Sequence, residues 1–185
     1  MLRLTRATIA LTATAAALLA AGLAAGPALA VGTAYTGKGT AMLTDGSTST
    51  LITCSSTVGG SLSSSNITTM TSASFTTCTG PAGLTFTLTG NPPWTVTTTT
   101  PAPPVQTGTI GGITLHAAGP SCSFEVNGPA ATGHTGKVKF KYTPGTSKLK
   151  FLTTGGNLHI FDVSGCLGLV SSGDAATLGA TYKVT

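Results

Sequence analysis

The chain has 185 residues, a formal net charge of +5 and only 7% charged side chains, with 25 glycines and 10 prolines. Few charges, abundant threonine and glycine, and alternating apolar residues suit strands rather than helices. Four carboxylates and three histidines leave few titratable pairs, which argues against catalysis.

The N-terminus carries Arg3 and Arg6, then an apolar Ala/Leu-rich run from Ala7 to Ala25, Gly26-Pro27 and the small-residue site Ala28-Leu29-Ala30. A charged start, an apolar middle and small residues at the cleavage point predict a signal peptide over Met1–Ala30. The rival reading is a retained anchor, but the run is Ala-rich and ends in a cleavage site. The arginines are not adjacent, so a twin-arginine route is not expected, and no cysteine follows the site to carry a lipid. The remainder, 31–185, is expected to be one secreted domain with no membrane span. Without the two arginines the charge falls from +5 to +3: Lys38, Lys137, Lys139, Lys141, Lys148, Lys150 and Lys183 against Asp45, Glu125, Asp162 and Asp174.

Gly32 to Gly39 nearly matches a phosphate-binding loop, but Gly39 stands where a Ser or Thr would hold magnesium, and no strand–loop–helix context surrounds it. Weak strands are predicted near Ala41–Leu43, Thr50–Ser55 and Ala73–Cys78, with Asp45-Gly46 as a turn. Asn66-Ile67-Thr68 is a glycosylation sequon only in a host with that machinery. Leu84, Phe86 and Leu88 alternate with threonines, the pattern of a half-buried antiparallel strand. Trp94, the single tryptophan, reads as a core anchor, with ligand stacking as the lesser alternative. The stretch 97–104 reads as a long connection within one domain or a linker between two halves. A further weak strand falls at Ile113–His116. Cys122, Phe124 and Val126 share one face of the next, Leu158–Val163 is weaker, and Leu178, Ala180, Tyr182 and Val184 share one face of the last. Many short strands with turn signals and no helical stripe predict an all-β fold, an antiparallel sandwich or barrel.

All four cysteines lie beyond the signal, and an even number in an oxidising compartment implies two disulfides. The sequential pairs Cys54–Cys78 and Cys122–Cys166 are favoured among three connectivities. No Cys-x-x-Cys exists, and His116, His134 and His159 are far apart in sequence, so no metal is expected. No cofactor is implied.

Catalytic motifs dissolve on inspection. Ser147-x-x-Lys150 matches the motif of penicillin-recognising enzymes but lies in a strand pattern rather than on a helix. No Gly-x-Ser-x-Gly elbow exists, and the odd spacing of His159 and Asp162 puts them on opposite strand faces. No catalytic residue is assigned. One feature rises above background. Lys137, Lys139 and Lys141, a turn over Thr143–Thr146, then Lys148 and Lys150 form a hairpin. Any even-length loop puts the five lysines on one side and Val138, Phe140, Tyr142, Leu149 and Phe151 on the other. With Thr143–Thr146 turning, Lys141 is expected opposite Lys148, and Lys139 opposite Lys150. Opposed like charges cost stability; an anionic partner would offset that, whereas a merely solvated face would only discourage edge pairing.

Phe75-Thr-Thr-Cys78-Thr-Gly, Pro92-Pro93-Trp94, Gly165-Cys166-Leu-Gly168 and Ala180-Thr-Tyr182 together resemble uncharacterised small secreted actinobacterial proteins with four cysteines. The resemblance implies secretion and a four-cysteine β fold, with no activity attached. The leading expectation is a secreted, non-catalytic binding or structural module whose lysine face meets an anionic envelope polymer or phospholipid. No nucleic-acid partner is expected. The alternatives are a secreted hydrolase with an unidentified site, or a protease inhibitor presenting 94–100 as a rigid loop.

Overall fold

A computed structural model describes residues 32–46, 49–63, 65–100, 104–130 and 132–185. The signal segment Met1–Ala30 lies outside them, as do 101–103 of the 97–104 stretch. The described chain is all-β and antiparallel, as its alternation implies. Three long strands come first: β1 (Thr33–Asp45), β2 (Thr50–Ser63) and β3 (Asn66–Thr79). There follow β4 (Thr85–Gly90), β5 (Thr95–Thr100), β6 (Gln106–Ile113), β7 (Leu115–Gly119), β8 (Cys122–Asn127), β9 (Gly136–Thr143), β10 (Lys148–Leu152), β11 (Leu158–Ser164) and β12 (Ala175–Val184).

The register shows that the shorter strands are halves of longer ones. β4 pairs with β7 and β5 with β6, while only Thr114 separates β6 from β7. β7 then pairs with β8 and β6 with β9, and β8 with β11 and β9 with β10. β4/β5, β6/β7, β8/β9 and β10/β11 are therefore four broken strands. With β1, β2, β3 and β12 they make an eight-stranded up-and-down meander. β12 pairs with β1 from Gly37↔Val184 to Asp45↔Ala176, closing the sheet into a barrel. Next-neighbour connection is the simplest route for antiparallel strands joined by short turns.

Closure puts the apolar residues inside. An eight-stranded barrel has an interior just wide enough for side chains to fill. Here Leu43, Ile52, Met70, Ile110, Leu115, Phe124, Phe140, Phe151, Leu178 and Tyr182 fill it in one buried cluster. Outward positions carry Thr, Ser and Lys. That arrangement reverses the apolar-out, polar-in pattern of a membrane-spanning barrel. Among the described residues no helix is long and apolar enough to cross a membrane. Where the wall is tightest the sequence supplies glycine: a Cβ at Gly39 would collide with the Thr181 carbonyl, and one at Gly60 with that of Thr69.

Each break frees backbone groups that must be satisfied, and asparagines do much of this work. Asn91 Oδ1 accepts from the Thr114 amide (2.7 Å) and from Trp94 Nε1 (3.3 Å). Asn127 Oδ1 accepts from the Gly128 and Thr135 amides. Asn157 Oδ1 accepts from the Lys137 amide (2.6 Å), while its Nδ2 donates to the Thr135 carbonyl. Gln106, fully buried, plays a similar part between β3 and β6. Its amide receives from Ile67 N and donates to Ile67 O and Thr98 Oγ1. It thereby replaces ladder bonds where β3 lies beside β5 and the isolated Met70–Trp94 bridge just before β5 is their nearest pairing.

The cysteines pair as Cys54–Cys78, between β2 and β3, and Cys122–Cys166, between β8 and the segment after β11. Several local expectations change. Leu84 lies outside β4 and is exposed, because the chain turns at 81–83 before the strand begins. Trp94 is buried and Thr95–Thr100 is a strand paired with β6, so 94–100 is not the exposed loop an inhibitor would need.

Candidate anion-binding face

The lysines stand on outward positions of β9, β10, β12 and β1. In β9 and β10, Lys137, Lys139, Lys141, Lys148 and Lys150 are exposed, while Val138, Phe140, Tyr142, Leu149 and Phe151 are buried. The even loop thus separates the two sets as expected, but the register is shifted by two residues. Lys141 lies opposite Lys150, Lys148 opposite Thr143, and Lys139 opposite Leu152. The reason is the turn: Pro144–Thr146 forms a helical turn and Ser147 takes a left-handed conformation (φ 50°). The loop is centred one residue later than the Thr143–Thr146 reading.

Closure enlarges the face beyond the hairpin. Lys148 is paired with Lys183 across β10–β12, and Lys183 with Lys38 across β12–β1. Lys139, Lys141, Lys150, Lys148, Lys183 and Lys38 therefore follow one another in a band over four strands. Steps along it are roughly 5 Å across strands and 7 Å along them. Three pairs, Lys141–Lys150, Lys148–Lys183 and Lys183–Lys38, are like charges in direct register. Among the described residues no lysine is paired with a carboxylate; the single ion pair is His116–Glu125, at 3.8 Å. Lys183 Nζ donates to the Thr146 carbonyl (3.1 Å), tying the band to the hairpin turn. Lys137 sits at its edge, beside the strand break, with its backbone held by Asn157.

Lys38 and Lys183 were missed in the sequence. Lys183 carried a signal, since it alternates with the inward Tyr182 and Val184. Lys38 sat in the false phosphate-loop match, and only barrel closure brings it next to a residue so distant in the chain.

The carboxylates occupy the opposite half. Glu125 is on β8 and Asp162 on β11; Asp45 ends β1, and Asp174 precedes β12, accepting from the Ser171 amide (2.7 Å). The histidines do not converge. His116 faces Glu125 at the surface, His134 Nδ1 contacts Asn91 and Thr114, and His159 Nδ1 contacts the Asn157 carbonyl. Among the described residues no three His, Cys, Asp or Glu gather as metal ligands.

Beneath the lysine band lie the three tyrosines. Burial pushes the Tyr182 phenol up to about 12, against a smaller opposing effect of the hydrogen bond from Ser56 Oγ (3.1 Å). Burial likewise raises Tyr35, reinforced by Tyr182 and Tyr142, and raises Tyr142.

Fold and face together define a disulfide-stapled antiparallel barrel with a basic exterior band. The chain belongs to the alkane oxidation protein activator PraA/PraB-like family, whose model matches residues 1–167. The family description, an activator of alkane oxidation, suggests a non-catalytic accessory role. The match spans both disulfides and ends before β12, the strand that closes the barrel. No curated protein and no solved structure matches. The family says nothing of the actinobacterial resemblance.

Proposed function

We propose that this protein is exported by its Met1–Ala30 signal and that 31–185 works outside the cytoplasm as a single non-catalytic domain. There it is an accessory to alkane oxidation that attaches to anionic polymer of the cell envelope through its lysine band. The observation that carries this reading is a band of six exposed lysines, five of them in direct register with another lysine, with no carboxylate paired to any of them among the described residues. Placing like charges opposite one another costs stability, and a solvated surface needs no such alignment. A linear polyanion laid along the band would neutralise several ammonium groups at once. Two disulfides fit an oxidising compartment, and the family description supports an accessory role.

The test is binding of the protein from Val31 onward to a purified anionic envelope polymer across a salt series. Exposed charges are screened beyond about 8 Å at physiological ionic strength, so affinity should fall steeply with salt. Salt-independent binding, or none, sinks the reading. Equal affinity for anionic vesicles and for the polymer would move the partner from polymer to membrane surface.

A further inference from the structure

Where β10 gives way to β11, the barrel wall opens. β12 meets β11 only at Ala175 and Ala176, and meets β10 only from Ala180 to Lys183. Thr177, Leu178 and Gly179 thus lack a ladder partner on that side. A pocket of about 190 Å³ enters the gap between Val138, Leu152, Leu158 and Leu178. A second groove of about 290 Å³ lies beside it over Met42, Thr153 and Gly179 and reaches Lys150. Thr153 borders both cavities. Gly179 keeps the groove open, since a Cβ there would stand 2.8 Å from Thr153 Cγ2. Met42 is 41% exposed, an uncommon position for a large apolar side chain in this molecule. Lys139 lies over Gly155 at the pocket rim, with its Nζ 2.8 Å from where a Cβ would be.

We propose that this seam binds a single-chain anionic amphiphile, a long-chain carboxylate. The alkyl chain occupies the apolar cleft, and the head group lies beside the ammonium groups of Lys139 and Lys150. The two cavities are small and border the same residue, Thr153, which suits one chain rather than the paired chains of a membrane lipid. Charge complementarity selects the carboxylate over a neutral alcohol of the same length. The site shares two lysines with the polyanion band but does not rest on it, because its affinity comes chiefly from apolar burial.

Dodecanoate is titrated into the protein from Val31 onward by calorimetry at low salt with no polyanion present, so that the two ammonium groups are unscreened. One saturable site is expected. Decanoate should bind about tenfold more weakly, since each buried methylene contributes comparably. Dodecanol should also bind about tenfold more weakly, and changing Lys139 and Lys150 to Gln should erase that preference. Gly179→Ala, with circular dichroism confirming the fold, should weaken dodecanoate binding. A nitroxide-labelled stearate should broaden the amide resonances of Leu152, Thr153, Leu178 and Gly179, a readout that needs no variant. Non-saturable uptake overturns the proposal, as does equal affinity of the wild type for dodecanol. So does broadening centred on the exposed Leu84 and Leu167 at the far rim.

Discussion

The two halves of the barrel are held together by different means. The half containing β4, β7, β8 and β11 carries both disulfides and the four carboxylates, and its surface charges are partly paired, as in His116–Glu125. The half containing β5, β6, β9 and β10 has no disulfide. It relies on an aromatic core, with Phe151 set edge-on to Tyr182 at 5.3 Å, and on the buried Gln106 tie. Yet it is this half that carries aligned lysines without carboxylate partners. The comparison teaches that the electrostatic cost of the band falls in the half that must absorb it through packing and the Gln106 tie, without a disulfide.

The largest effect should come from reduction. The two bridges close loops with sequence separations of 24 and 44 residues, each worth roughly 3–4 kcal/mol on the chain-entropy model. Hydrogen exchange with and without reductant should show β4, β8 and β11 losing protection before β9 and β10. Uniform loss would mean that the halves are one cooperative unit and the distinction is only compositional. Next comes the aromatic core: Phe151→Ala should cost about 3–5 kcal/mol in denaturant unfolding, rivalling one disulfide. A loss near 1 kcal/mol would show that the lysine-bearing half is loosely packed after all.

A smaller effect is expected at Gln106. Gln106→Leu leaves the Ile67 amide and carbonyl buried without their partner, a loss of about 1–3 kcal/mol. An unchanged unfolding midpoint would mean that water or a closer β3–β5 contact replaces the tie.

The sequence showed some of this directly and hid the rest for physical reasons. Period-two alternation marks β8, β9, β10 and β12, because each has one face in the core. The sequential cysteine pairing, one of three possibilities in the sequence, is the one the structure has. The long β1 and β2 were largely hidden, since Gly37, Gly39, Gly59 and Gly60 interrupt their alternation where strands approach closely. β5 was hidden because its exposed threonines carry no apolar face. The band was only half legible: parity puts five lysines on one side of a hairpin, but the turn at Pro144–Ser147 sets their register. Lys38 joins only through a pairing between the first and last strands. The wall gap left no signal in the sequence, because it arises from strands that break.

The tyrosines give the lysine-bearing half its own pH limit. A folded-state pKa above the unfolded value means the native protein holds a proton that the unfolded chain has released. For Tyr182 this stabilisation is fully present below pH 10 and is lost as pH rises towards about 12. Tyr35 and Tyr142 are shifted in the same direction. Unfolding free energy should therefore fall steeply above pH 10, and Tyr182→Phe should flatten that slope. If the slope persists in the variant, Tyr35 governs the alkaline limit instead.

The smallest change in stability, and the sharpest in binding, belongs to the lysines themselves. Changing Lys139, Lys141, Lys148 and Lys150 to Gln removes the direct opposition of Lys141 with Lys150 and of Lys148 with Lys183, and touches nothing in the core. Stability should be unchanged or slightly raised, because opposed like charges disappear and surface substitutions usually stay within about 0.5 kcal/mol. Salt-sensitive binding to the polyanion should vanish. The companion variant, Lys38 and Lys183 to Gln, leaves the hairpin intact and asks whether the band or the hairpin alone is the binding unit. Partial loss of affinity with a shallower salt dependence is expected if all six lysines act together. Full wild-type binding would confine the site to β9 and β10. If the hairpin variant instead unfolds, its lysine stems are packing elements, and the basic face belongs to the stability of this half rather than to recognition.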